Sequence, residues 1–445
     1  MDPYLGYEIA GAAVLGYALI VYALWRTGRV GPDRSLTLFG PALMIKTRRG
    51  VAALDRGGRF VRFWTVASDV GVGLAALAMA VIVGVLFFGA IAATRLSPAQ
   101  APPLSEAVAL PGLNPVIPLT YGIVALVVGI VLHELCHGVV ARSQKIGVKS
   151  LGILWCVVPV GAFVEQDDAQ MTTASRRRRD RVAAAGVLAN FVLAVVFFVA
   201  LSALVGTSVA PNASGVGVAY VEPNGPANNV SVQAGDIITG LNGTTTATLS
   251  AFENAIAATQ PFENVSVVYF SHGLDRSVTR VVELGRNPSN RTRGFLGIEV
   301  YALTPSQLRA TLVWPLGASA GGWVGALDWL ILPFGSVEPV SSPTASFFHL
   351  VGPLHGMSPT DFWVGANLLY WLAWMNLLLG LSNALPLVPL DGGLLFRDFA
   401  ASVAARFRRG WTAAQLDLFA ARASVFASFI VLLLLAWQFV VPRLG

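Results

Sequence analysis

Residues 131–140 read VLHELCHGVV, which sets two histidines and a glutamate inside a run of apolar residues. On a helix, His133 and His137 are four residues apart and project from one face, so one metal ion can take both imidazoles at about 2.0 Å. Glu134, on the adjoining face, then reaches a metal-activated water and can take its proton. Two histidines hydrogen-bonded within a helical bundle have the same spacing, so a hydrolytic site requires a third ligand. The candidate is Asp391 in SNALPLVPLDGG, residues 382–393. A carboxylate at the end of an apolar stretch is costly without a cation, although capping a helix or pairing with Arg397 would also employ it. Two imidazoles and one carboxylate leave the fourth tetrahedral position to water, the open arrangement of a catalytic zinc rather than a structural one. The two cysteines, Cys136 and Cys156, offer neither a disulfide framework nor a cysteine-only zinc site and read as small buried hydrophobes.

The elements that must hold these residues are membrane spans. The 445 residues are 55% hydrophobic and only 12% charged, with a mean hydropathy of +0.66, too apolar for a soluble domain. About 20 apolar residues cross a hydrocarbon core of about 30 Å, which predicts six spans near 4–25, 68–93, 117–141, 182–206, 362–387 and 423–441. The first lacks a basic leader and a small-residue cleavage site and reads as a retained span. The net charge of +6 comes from arginines and lysines clustered between spans. That placement argues for membrane topology rather than a nucleic-acid partner. Segments 26–62, 142–181 (with RRRRDR at 176–181) and 395–410 are basic and therefore cytoplasmic. Segments 94–116 and 207–361 then lie outside, where Asn212, Asn229, Asn242, Asn264 and Asn290 each begin an N-x-S/T triplet. This topology puts the histidines and Asp391 at comparable depth near the cytoplasmic side, and His272, His349 and His355 outside.

Residues 212–300 differ in kind. Glycine, asparagine and short alternating apolar runs predict a small β-rich domain, with NG at 242–243 as a hairpin turn. It resembles a PDZ domain, which captures an extended peptide or a chain terminus by strand addition; a β-sandwich cap without a ligand is the other reading. The expected fold is an α-helical polytopic membrane protein of about six transmembrane helices carrying this inserted extracytoplasmic domain. Its parts are a two-helix region at 1–116, a first half of the membrane core at 117–206, the β-rich domain at 212–300, a re-entrant or interfacial connector at 306–361, a second half of the core at 362–395 and a last helix in 396–445. The stretch 311–333 is apolar enough for a further span but reads as a re-entrant or interfacial segment of that connector, since proline and glycine break the stretch that would have to cross back.

HELCH, GAFVEQ at 161–166, AAAGVLANFVLA at 183–194 and NALPLVPLDG at 383–392 follow one another in the order found in the site-2 proteases, intramembrane zinc metalloproteases, which the chain resembles over about 117–395. The resemblance implies one zinc per chain held by His133, His137 and Asp391, with Glu134 as catalytic base. It also implies that Asn190 and Asn383 line the site and hold substrate or a transition-state oxygen. One departure is Val388, where the family often has proline; here the second proline is Pro389. A substrate helix in lipid hides its carbonyls in intrahelical bonds and must unwind before it can be cut. GAFVEQ, after WCVVPV, predicts a strand pair whose edge, including Gly161 and Phe163, would hold the unwound segment extended. The expected partners are single-span membrane proteins, the lipid bilayer, and a peptide or C-terminus at the PDZ-like domain. A catalytically inactive membrane receptor or chaperone with the same fold would have no use for Glu134. A metal transporter would need several ligand sets along a path.

Overall fold

The computed structural model describes residues 5–31, 34–316, 330, 332 and 340–444, and the principal helices are α1 (Leu5–Arg26), α2 (Val61–Ala93), α3 (Leu119–Ser143), α4 (Arg176–Ser208), α5 (Leu249–Ala257), α6 (Pro359–Asn383), α7 (Asp391–Phe407) and α8 (Ala413–Leu444). Five stretches, namely α2, α3, α4, α6 and residues Ala413–Arg443 of α8, are long and apolar enough to cross a membrane. The sixth expected span falls on α1, of which Val14–Arg26 is a shorter apolar segment. Side chains such as Phe88, Val195 and Phe426 stand exposed on these helices, a pattern that suits lipid and not water. Most of 311–333 lies outside the described residues; its start belongs to a helix, Pro305–Val313.

The chain divides into two units. The first comprises residues Met1–Asn114, Gly122–Ala194 and Trp374–Gly445. Its helices meet through small residues: Ala75 and Ala78 of α2, Ala183 and Ala184 of α4 and Ala384 share one buried cluster with Val187 and Leu395. Without a hydrophobic drive in lipid, such close backbone approach is what holds helices together. At one end of α4 the arginine run is spent on ion pairs. Arg181 grips Asp69 of α2 with two bonds of 2.7 and 2.9 Å, and Arg179 grips Asp398 of α7 at 3.0 and 2.7 Å.

The same unit contains a four-stranded antiparallel sheet, β1 (Leu36–Phe39), β2 (Ala42–Thr47), β3 (Val148–Cys156) and β4 (Val158–Gln166), in that order, so that β4 is an edge. The strand pair expected around GAFVEQ is β3–β4, with Leu151 opposite Val164 and Gly152 opposite Phe163. A Cβ at Gly152 would lie 2.2 Å from the Phe163 ring, so glycine there makes room for the aromatic side chain across the pair. The β1–β2 hairpin, which extends this sheet, lies in a segment read from sequence only as a basic loop.

The second unit comprises Pro115–Tyr121 and Val195–Ala373. Its sheet contains β5 (Val216–Val221), β6 (Ile237–Leu241), β7 (Asn264–Ser271), β8 (Arg276–Glu283) and β9 (Ile298–Val300), ordered β8-β7-β6-β5-β9. Val216, Val218, Ile238, Leu241, Val265, Val267 and Tyr269 fill its core with Phe252 of α5. The expected NG turn is present: Asn242 and Gly243 both have positive φ, 49° and 79°, as a tight hairpin after β6 requires.

Candidate metal centre

Three elements of the first unit deliver the site: α3, the start of α7 and the middle of α4. His133 and His137 are buried one turn apart on α3 with their rings edge to face. The route to Asp391 is set by the break after α6, where Pro386 and Pro389 cannot continue a helix. The chain folds back so tightly that a Cβ at Gly392 would lie 2.2 Å from the Ala384 oxygen, and one at Gly393 2.7 Å from that of Leu387. Asp391, first residue of α7, thereby turns inward, while Arg397 pairs with Asp417 at 2.8 Å instead.

The Nε2 atoms of His133 and His137 are 3.1 Å apart, and Oδ2 of Asp391 is 3.2 Å from each. Among the described residues this is the one group of three or more histidine, cysteine or acidic side chains whose ligand atoms converge closely enough to share an ion. Ligands bound tetrahedrally at 2.0–2.1 Å are separated by edges of about 3.3 Å, so the three atoms have a zinc-like spacing. The outer nitrogens agree. His137 Nδ1 is 2.7 Å from the Val182 carbonyl, which can only accept, so that nitrogen carries a proton, and in the neutral ring Nε2 is the lone pair left to coordinate. His133 Nδ1 is 3.1 Å from the side-chain amide of the fully buried Asn190. As placed, the amide nitrogen faces that ring nitrogen and Asn190 Oδ1 has no partner; with the amide turned by half a turn, Oδ1 would accept the ring N–H and give His133 the same tautomer. Oδ2 of Asp391 is likewise buried without a hydrogen-bond donor. Two lone pairs and an undonated carboxylate oxygen facing one point suit a divalent cation.

Gly186 completes the enclosure and was not singled out by sequence. A Cβ there would lie 2.4 Å from His133 Nε2 and 2.5 Å from His137 Nε2, so only glycine lets α4 approach the imidazoles this closely. Asn190 follows one turn later on the same helix.

Glu134 is half-buried beside the ligands, and its Oε2 accepts the backbone N–H of Val164 on β4 at 3.1 Å. The strand lies close because α3 has glycine where it passes: a Cβ on Gly138 would be 3.1 Å from the Val164 side chain. A cleft of about 700 Å³ opens from the centre, lined among others by Glu134, His137, Val164, Gln166, Asp391 and Leu394. Glu165 also lines it; the Ser150 hydroxyl and then Lys46 at 3.2 Å hold its carboxyl below the usual range, against the opposing effect of burial. Of the GAFVEQ residues, Val164 is therefore the one bonded to the glutamate, whereas Phe163 turns onto Gly152 and Gly161 pairs with Leu154. The Asn383 amide donates to Leu379 in its own helix at 3.1 Å, and no hydrogen bond among the described residues joins it to the ligands. In the second unit, His272, His349 and His355 all line one cavity, with His272 Nδ1 held 2.9 Å from buried Asp236.

The peptidase family M50 profile matches residues 121–420, more than half of the chain and all of the centre. An uncharacterized protein of Methanocaldococcus jannaschii is 26% identical over 359 residues, 80% of this chain and 77% of its own. The zinc metalloprotease RasP of Geobacillus kaustophilus is 27% identical over 214 residues, 47% of each chain. Among solved structures, the PDZ domain of an SdrC-like protein from Listeria monocytogenes is 27% identical, covering 20% of this chain and 88% of that one, with a TM-score of 0.18.

Proposed function

The chain belongs to peptidase family M50, and from that premise we propose that it is a zinc-dependent intramembrane endopeptidase of the site-2 protease type, cutting single-span membrane proteins within or near their transmembrane segments. The observation that carries this reading is the convergence of His133, His137 and Asp391 within 3.2 Å of one another beside Glu134. Zinc held by the three supplies Lewis acidity that makes water a nucleophile near neutral pH. Glu134 takes the proton of the attacking water and returns it to the leaving amine. Val182 and Asn190 fix the two imidazoles from behind, which keeps their Nε2 atoms bare. Asn383 is assigned to the substrate side, where an amide donor would steady the developing oxyanion.

The substrate helix unwinds and adds as a strand along β4 near Gly161 and Phe163, since only an extended chain exposes its carbonyls. The basic segments support a centre toward the cytoplasm and a PDZ-like domain outside, acting as a size filter or a reader of a freed C-terminus. The test is incubation of the purified protein with a tagged one-span substrate in detergent. Zinc chelation and Glu134→Gln should each abolish the product while the protein stays folded. Undiminished cutting by Glu134→Gln would refute the mechanism.

A further inference from the structure

The Glu134–Val164 bond carries more than the position of the base. Val164 pairs with Leu151 of β3, yet its N–H points away from β3, to the carboxylate. Since β4 ends the sheet, this N–H is one of the edge donors that an added strand would use. By the period of two, Ala162 faces the same open side, and Gly161 and Phe163 face β3. Glu134 thus occupies, in the substrate-free protein, a place that a substrate carbonyl must take.

We propose that Val164 is a positioning residue whose N–H parks Glu134 in the resting site and passes to a substrate carbonyl when a strand adds to β4, so that docking turns the base toward its water and sets the register of the cut bond. This rests on the endopeptidase reading and on substrate binding along β4. The resting bond is charge-assisted and fixes one carboxylate oxygen, hence the direction in which the other can act. An incoming carbonyl is a neutral acceptor and replaces it only as part of a ladder whose other bonds offset the difference. The consequence is selectivity for chains that reach β4 extended: a peptide that cannot form the ladder leaves the base parked.

The two roles of one N–H have a distinctive thermodynamic signature. Deleting it removes a bond from the free protein and another from the complex, so the effects on KM largely cancel. Removing the substrate carbonyl instead leaves the N–H on Glu134 in the complex, so the base stays parked and kcat falls while KM changes little. The experiment uses the full-length zinc-loaded protein with an α-hydroxy acid incorporated in place of Val164, which turns that amide into an ester. Val164→Pro serves as a second variant, since an edge strand tolerates the loss of one N–H. Substrates are a one-span peptide and a series in which successive uncut peptide bonds are replaced by alkene isosteres.

With the unaltered protein, the isostere opposite Val164 should lower kcat about fivefold with KM little changed, because the base stays parked, whereas the one opposite Ala162, two residues along, should raise KM about fivefold with kcat little changed. In the N–H-deleted protein, KM for the parent peptide should stay within about twofold. The penalty should vanish at the Val164 position alone and persist at the other. A penalty that is the same at both positions in both proteins would overturn the inference, as would a parent KM that rises fivefold. Those outcomes leave the endopeptidase reading intact; that reading fails separately, if the zinc-loaded natural protein does not cut the parent peptide.

Discussion

At the residue scale, the centre depends on atoms that are missing as much as on those present. Gly186 faces the imidazoles of both His133 and His137, and an added methyl would meet ring atoms held by Val182 and Asn190, which cannot swing aside as a flexible side-chain end would. Gly186→Ala should therefore insert and fold but bind zinc at least about tenfold more weakly, as seen when groups that orient ligands are disturbed. Competition with a metal-sensitive chelator measures this without reference to catalysis, and unchanged affinity would mean that α4 does not hold the imidazoles. The grouping of the three side chains, which do converge, was legible because the spacing of His133 and His137 has chemical content and because a lone carboxylate at Asp391 asks for a cation. Gly186 was not, because a glycine in an apolar helix reads as a helix-packing residue until its partner is known. Asn190 was reached only through a resemblance, and its bond to His133 needed the fold.

At the element scale, the decisive feature is the break between α6 and α7. The prolines announced it, so the interruption was visible; the tightness of the return was not, because it arises from carbonyls of 384–387 closing over Gly392 and Gly393. Gly393→Ala should strain this turn by about 1–3 kcal/mol, the usual cost of overpacking. Relief is available by shifting the start of α7, which carries Asp391 away from the histidines. The expected variant keeps its helical content by circular dichroism but holds less than one zinc per chain by metal analysis. Full zinc occupancy would show that the turn has slack. The sheet gives the complementary lesson. The β3–β4 pair was legible from its β-prone residues and glycine, whereas β1–β2 was hidden because Lys46, Arg48 and Arg49 dominate the reading of that segment as a loop. Its pairing with β3, Leu43 opposite Trp155 through Thr47 opposite Leu151, depends on contacts between segments far apart in the chain.

At the scale of the whole molecule, composition alone sufficed to call for a bilayer, and five helices meet the length and hydropathy it demands. Composition does not reveal that His133 and His137 on one side and Asp391 on the other come from two stretches of chain separated by Val195–Ala373 of the second unit, yet share the first. A metal bound by both stretches closes that long loop only in the folded state, and by linkage it stabilises the fold by about 2.7 kcal/mol at a free zinc concentration one hundred times its dissociation constant. Adding zinc to the stripped protein should accordingly raise its unfolding temperature in detergent by several degrees. The variants separate structure from chemistry. Glu134→Gln, which leaves all three ligands, should show the full shift while cutting nothing; Asp391→Asn, which removes the charge that joins the two stretches through the metal, should show little shift and no cutting. A full zinc-dependent shift in Asp391→Asn would show that Asp391 is not the third ligand and overturn the centre, since no other described residues bring three such ligand atoms together.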